Sequence, residues 1–155
     1  MALFYGVALA PYVDGTIFPA YLRANAALSD LILNGLGQDC HLTDTTIRVA
    51  GFAMTIRRGC DALEPSWLFA AAVISFPAPF RRKLLGILIG DTFLLALNLV
   101  RIVSLYFVGV HWPRLFATFH LEIWPVVFVL AAIAMWVGWI GWARGRDWGG
   151  KHAAT

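Results

Sequence analysis

The sequence predicts an all-α integral membrane protein of about four transmembrane helices, with an interfacial helix and a small extracytoplasmic β-hairpin before the second span. Three observations lead there. Of 155 residues, 60% are hydrophobic and 14% charged, whereas about a quarter of a soluble domain is charged. The mean hydropathy is +0.73, and apolar runs near the ~20 residues that cross a hydrocarbon core recur along the chain. Fourteen glycines and seven tryptophans suit spanning helices and bilayer interfaces, respectively.

Each element has its own signature. Residues 1–13, MALFYGVALAPYV, are uncharged and short, and they lack the basic n-region and cleavage site of a signal peptide; they read as a short first span. Over 17–36, Arg23, Asp30 and Asn34 share one narrow helical stripe, while Leu22, Leu28, Ile32, Leu33 and Leu36 cover much of the remaining arc. That pattern predicts a helix lying in the interface, with a tilted span as the open alternative. Over 45–58, Thr46–Ala50 and Phe52–Ile56 alternate around Gly51, which predicts a hairpin leading directly to Cys60. The remaining spans are expected at 63–80, bounded by Glu64 and Pro65 at one end and Pro77 and Pro79 at the other, at 84–110, and at the uncharged 123–143. No repeat and no second domain interrupts residues 1–155.

The formal charge is +3, but the basic residues sit in short groups rather than along one polar face, so lipid is an expected partner and nucleic acid is not. Arg81, Arg82, Lys83, Arg144, Arg146 and Lys151 fall on one side of the predicted spans; Arg23, Arg48, Arg57, Arg58 and Arg114 fall on the other. The three consecutive charges of the very short loop 81–83 decide the orientation, placing it and the C-terminal tail in the cytoplasm. The hairpin, Cys60 and the loop 109–122 then face outward from an inner membrane. Cys40 and Cys60 are the two cysteines and no CxxC occurs, so a four-thiol metal site and a dithiol relay both lack their ligands. Neither metal nor cofactor is expected. Pairing of the two cysteines is left open, because spacing does not establish that their Cα atoms approach closely enough.

Arg101 stands inside an apolar helix, where insertion costs about 2.5–3.5 kcal/mol. Asn98 and Asp91 share its stripe, which should face the bundle interior. One reading is a structural seam in which Asp91 helps neutralise Arg101, as in a non-catalytic scaffold or transport component. His120, just before the last span, is by itself a capping or surface histidine, with His111 as its competitor. Cys60 stands at the first turn of a predicted helix, where the dipole, Arg57 and Arg58 favour a thiolate while Asp61 and Glu64 oppose it. Taken together, Cys60, Arg101 and His120 lie near one membrane face. A thiol, a proton carrier and a fixed cation are the parts that acyl transfer requires. A thiol redox protein cycling a Cys40–Cys60 disulfide is a third reading, disfavoured by the absence of CxxC.

Across about Gly51 to Trp139, the stretches GFAMTIRRGCDALEP, LNLVRIVSLY and FHLEIWP resemble the exosortase/archaeosortase family of membrane transpeptidase-like enzymes. The family pattern is a Cys at the outer start of a span, an Arg preceded by Asn three residues earlier in the next, and a His before the following span. These map onto Cys60, Asn98 with Arg101, and His120. The resemblance implies a cysteine transpeptidase or peptidase whose partners are exported proteins bearing a recognition motif, a spanning helix and a basic cluster at the C-terminus, with Asn98, Glu64 and Asp91 in supporting positions. The compact single-domain form looks like the exosortase H subgroup. Many members carry a small residue and Gly soon after the Cys; RGCDALEP departs from that, which implies a different local turn.

Overall fold

The computed structural model describes residues 18–49, 52–57 and 62–148. The expected first span at 1–13 and the stretch 58–61, which holds Cys60, lie outside the described residues. In chain order the elements are α1 (Phe18–Gly35), β1 (His41–Thr43), β2 (Thr46–Val49), β3 (Phe52–Thr55), α2 (Leu63–Ser75), α3 (Phe80–His111) and α4 (Trp124–Trp148). Between α3 and α4 come a 3-10 turn (Pro113–Leu115), one α turn (Phe116–Thr118) and a π turn (Phe119–Ile123).

Two helical segments among the described residues are long and apolar enough to cross a membrane, Phe80–His111 and Pro113–Arg144, each of 32 residues. At 1.5 Å per residue each extends about 48 Å, more than the ~30 Å hydrocarbon core. The expected span at 63–80 is different. Its helix, α2, has 13 residues and is only about 20 Å long. It stops at Ser75 because Pro77 and Pro79 supply no N–H and push the preceding residues out of the α region; Phe76 sits at φ −80°, ψ 137°.

Helices α2, α3 and α4 each pack on the other two, burying Phe69, Val73 and Leu94 between them while Leu88, Ile89, Leu130 and Ile133 face outward. Contiguous outward apolar surface of this kind fits lipid as solvent. At one end of the bundle, Lys83 Nζ donates to the Ile74 carbonyl at 2.6 Å, Arg82 donates to the Ala143 carbonyl, and Trp139 Nε1 donates to the Arg82 carbonyl at 3.1 Å. The expected loop 81–83 is instead the first turn of α3, and its Arg82 and Lys83 satisfy carbonyls near the ends of α2 and α4, where cations also complement the helix dipole.

Helix α1 packs on α3 through a small and partly polar stripe, Asn25, Ala26, Ser29 and Leu33. Around the rest of the helix Leu28, Ile32 and Leu36 are exposed, as are Arg23 and Asn34. In a lipid-bathed bundle small residues permit close helix approach, and leucine loses little by facing outward.

The expected hairpin gains a third strand. The antiparallel sheet runs β1-β2-β3, with Leu42 opposite Ile47 and Ile47 opposite Met54. One face, including Leu42, Ile47, Phe52 and Met54, turns inward; the other, including Arg48, Ala53 and Thr55, is exposed. Phe52 anchors the sheet to the end of α3. Its ring lies against Gly109, where any Cβ would overlap it, and meets Tyr106 and Phe116 edge-on at centroid distances of 6.3 and 6.1 Å.

Gly90 brings α3 against the buried Phe69 ring of α2, and a Cβ built at Gly90 would overlap that ring. Gly90→Ala is expected to lower stability by about 1–3 kcal/mol through overpacking. Thermal unfolding in detergent checks this, and Phe69→Leu in the same chain should recover part of the loss.

Candidate active site

Arg101 projects from the C-terminal half of α3 and is 6% exposed. Its Nη2 lies 3.4 Å from His120 Nδ1, and its guanidinium carbon is 5.7 Å from the centroid of the Phe128 ring. Histidine is brought there by the π turn Phe119–Ile123, in which the Trp124 N–H reaches back five residues to the Phe119 carbonyl. Pro125 explains the register shift. It has no N–H for the Leu121 carbonyl and its ring crowds that oxygen, so an ordinary α turn is disfavoured at this point. The His120 ring is also stacked on Phe116, with centroids 5.7 Å apart and planes inclined by 16°.

A guanidinium has donors only, so in this contact Nδ1 of His120 accepts and the neutral ring carries its proton on Nε2. That assignment follows from the partners' chemistry rather than from observed hydrogens. The pair unites side chains from α3 and the π turn, which are separated by 19 residues.

Asn98 lies one turn before Arg101 and is fully buried. It donates through Nδ2 to Asn25 Oδ1 at 3.4 Å, and Asn25 Nδ2 in turn donates to the Tyr21 carbonyl at 3.0 Å. Asn25 was not among the residues that the sequence singles out. The available signal was its i, i+4 relation to Ser29, whose hydroxyl donates to the Asn25 carbonyl at 2.7 Å. Asp91 shares the stripe but is ten residues from Arg101, about 15 Å along the axis, so it cannot pair with the guanidinium directly. From the same stripe Asn98 makes a contact that the sequence did not suggest, joining α3 to α1 through Asn25. Glu64 is exposed in the first turn of α2.

His120 also lines a cleft of about 390 Å³, together with Ala53, Met54, Thr55, Ile56 and Arg57 from the β3 side and Ile102, Leu105 and Phe116 from the helical side. Cys60 follows Arg57 by three residues in sequence and precedes Ala62 by two, but lies outside the described residues. Ala62, just before α2, is 3% exposed and adopts φ 57°, ψ 8°. This left-handed conformation is the one that glycine occupies without strain. Ala62 therefore holds a backbone conformation that glycine favours. Cys40 is free and buried, beside the Tyr106 hydroxyl, which donates to Gln38 Oε1 at 3.3 Å. No cluster of His, Cys, Asp or Glu able to hold a metal occurs among the described residues.

At φ 57° a β-branched residue is strained beyond alanine, so Ala62→Val should be less stable than Ala62→Gly by about 1–3 kcal/mol. Paired thermal melts of the two variants check the sign.

Comparison with known proteins adds one match: the family described as Transmembrane exosortase (Exosortase_EpsH) matches residues 1–147. No curated protein and no solved structure matches the chain.

Proposed function

The chain belongs to the transmembrane exosortase family, and from that premise we propose that it is a cysteine transpeptidase that processes C-terminal sorting signals of exported proteins at the outer face of the inner membrane. The observation that carries this reading is the 3.4 Å contact of Arg101 with His120, beside a cleft whose β3 wall runs to Arg57, three residues before Cys60.

In this reading Cys60 is the nucleophile, His120 the proton carrier and Arg101 the fixed cation. The thiol proton passes to Nδ1 of His120 as sulfur attacks the peptide carbonyl. Protonation of Nδ1 removes the acceptor that held the guanidinium, leaving Arg101 to stabilise the oxyanion of the tetrahedral intermediate. The C–N bond then breaks, the leaving amine takes the proton from the imidazolium, and a thioester remains on Cys60. An acceptor nucleophile or water releases the acyl group and restores the thiol. Asn98 holds the Arg101 turn of α3 against α1 through Asn25.

Co-expression with a processed substrate tests the nucleophile. Cys60→Ala should lose about 10³-fold or more of the processing rate, whereas Cys40→Ala, at a buried thiol outside the site, should still process the substrate. Wild-type processing by Cys60→Ala would contradict the assignment. Arg101→Lys separates catalysis from a structural seam: lysine keeps the charge but not the planar fork of donors, so processing should fall while membrane accumulation is retained.

A further inference from the structure

The sheet edge beside His120 carries information about how a substrate is held. Ile56 N–H donates to the Thr45 carbonyl at 2.9 Å, which extends the register in which Ile47 opposes Met54 and Thr46 opposes Thr55. Hydrogen-bonded and non-hydrogen-bonded pairs alternate along an antiparallel ladder. Ile56, Met54 and Phe52 therefore spend their backbone groups on β2, while Thr55 and Ala53 turn theirs to the opposite side. The 3.0 Å contact between the Thr46 and Thr55 hydroxyls agrees, because side chains of non-hydrogen-bonded pairs lie closer together.

Among the described residues β3 is an edge strand of the sheet. Its outer edge borders the cleft, because three successive strand residues, Ala53 to Thr55, line it together with Ile56 and Arg57 just beyond. Successive strand side chains point to opposite faces, so an unbroken run of lining residues is what an edge presents and a face does not. Free edges are ordinarily blunted by charge, proline or cover; Ala53 and Thr55 are small, uncharged and exposed. The cleft volume of about 390 Å³ falls in the ~300–1,000 Å³ range of ligand pockets.

We infer that the substrate's recognition segment docks as an extended strand on the outer edge of β3, which is unpaired among the described residues, exchanging main-chain hydrogen bonds with Ala53 and Thr55 while an apolar side chain of the segment rests on Ile102, Leu105 and Phe116. This rests on the transpeptidase reading, and it names how the same site takes its peptide. Strand addition supplies affinity through the main chain and selectivity through alternate side chains. The continuity of the edge with His120 in one cleft argues for substrate peptide as the occupant: a segment paired there has its carbonyls beside the proton carrier.

The probe is an exported reporter ending in a C-terminal sorting signal that the wild-type chain shortens. Ala53→Pro deletes an outward N–H, a position at which proline is tolerated in edge strands, and should raise KM for the reporter roughly tenfold, the worth of a lost hydrogen bond or two. Ala53→Val keeps the N–H and should raise KM less. Equal KM values for the two variants would overturn the inference. A second measurement needs no turnover: Thr55→Cys is placed in a chain also carrying Cys40→Ala and Cys60→Ala, and single cysteines are stepped through six reporter residues before the cleavage point. Oxidative crosslinks at alternate positions support strand addition. Crosslinks every third or fourth residue, crosslinks only between two copies of the enzyme, or none at all overturn it. Wild-type processing by Cys60→Ala overturns the transpeptidase reading instead, so the two failures are distinguishable.

Discussion

A guanidinium buried within a spanning helix has to be satisfied by other elements, and much of the arrangement follows from satisfying Arg101. At 6% exposure it is beyond the reach of bulk water, and a central arginine costs about 2.5–3.5 kcal/mol in insertion. Its surroundings answer that cost with an imidazole from the π turn and the face of Phe128. Each contact fixes a neighbour. His120 reaches Arg101 from a π turn that Pro125 favours over an α-helical register before α4, and Phe128 lies about one turn into α4. The buried Asn98 fastens the same stripe of α3 to α1. One charge thus orients elements that are far apart in sequence.

The same region shows how a site can be built where apolar burial discriminates poorly. Lipid is about as apolar as leucine, so α1 gains little by turning Leu28 and Ile32 inward, and it packs through Asn25, Ala26 and Ser29. The sheet docks by shape, with Phe52 seated where Gly109 has no side chain. Because Phe52 also touches Phe116, which stacks on His120, the position of β3 and that of the histidine are mechanically linked. Cleft width and ring orientation are set together.

Much of this was legible in the sequence. Alternation around Gly51 announced β2 and β3, and the hydrophobic run broken by Asn98 and Arg101 announced the polar stripe of α3. Other features depend on tertiary contacts that periodicity does not carry. Residues 41–43 are too few to register as a strand without their partners, and the prolines that mark the end of α2 shorten it below a span. Periodicity did not show which side of α1 meets the bundle: it packs through Asn25, Ala26, Ser29 and Leu33, while Leu28, Ile32 and Leu36 are exposed. Asp91 and Arg101 share a stripe yet stand about 15 Å apart; sharing a face is not contact. Cys60 lies outside the described residues, so its assignment rests on its sequence surroundings and on the family resemblance.

The most direct measurement of the central claim, that Arg101 and His120 act as one unit, is a double-mutant cycle on the rate of substrate processing. Arg101→Lys, His120→Asn and the combined variant are compared at equal membrane levels. The account predicts strong non-additivity, with the double variant scarcely slower than the worse single one. Losses that multiply would show that the two side chains act independently and would contradict it.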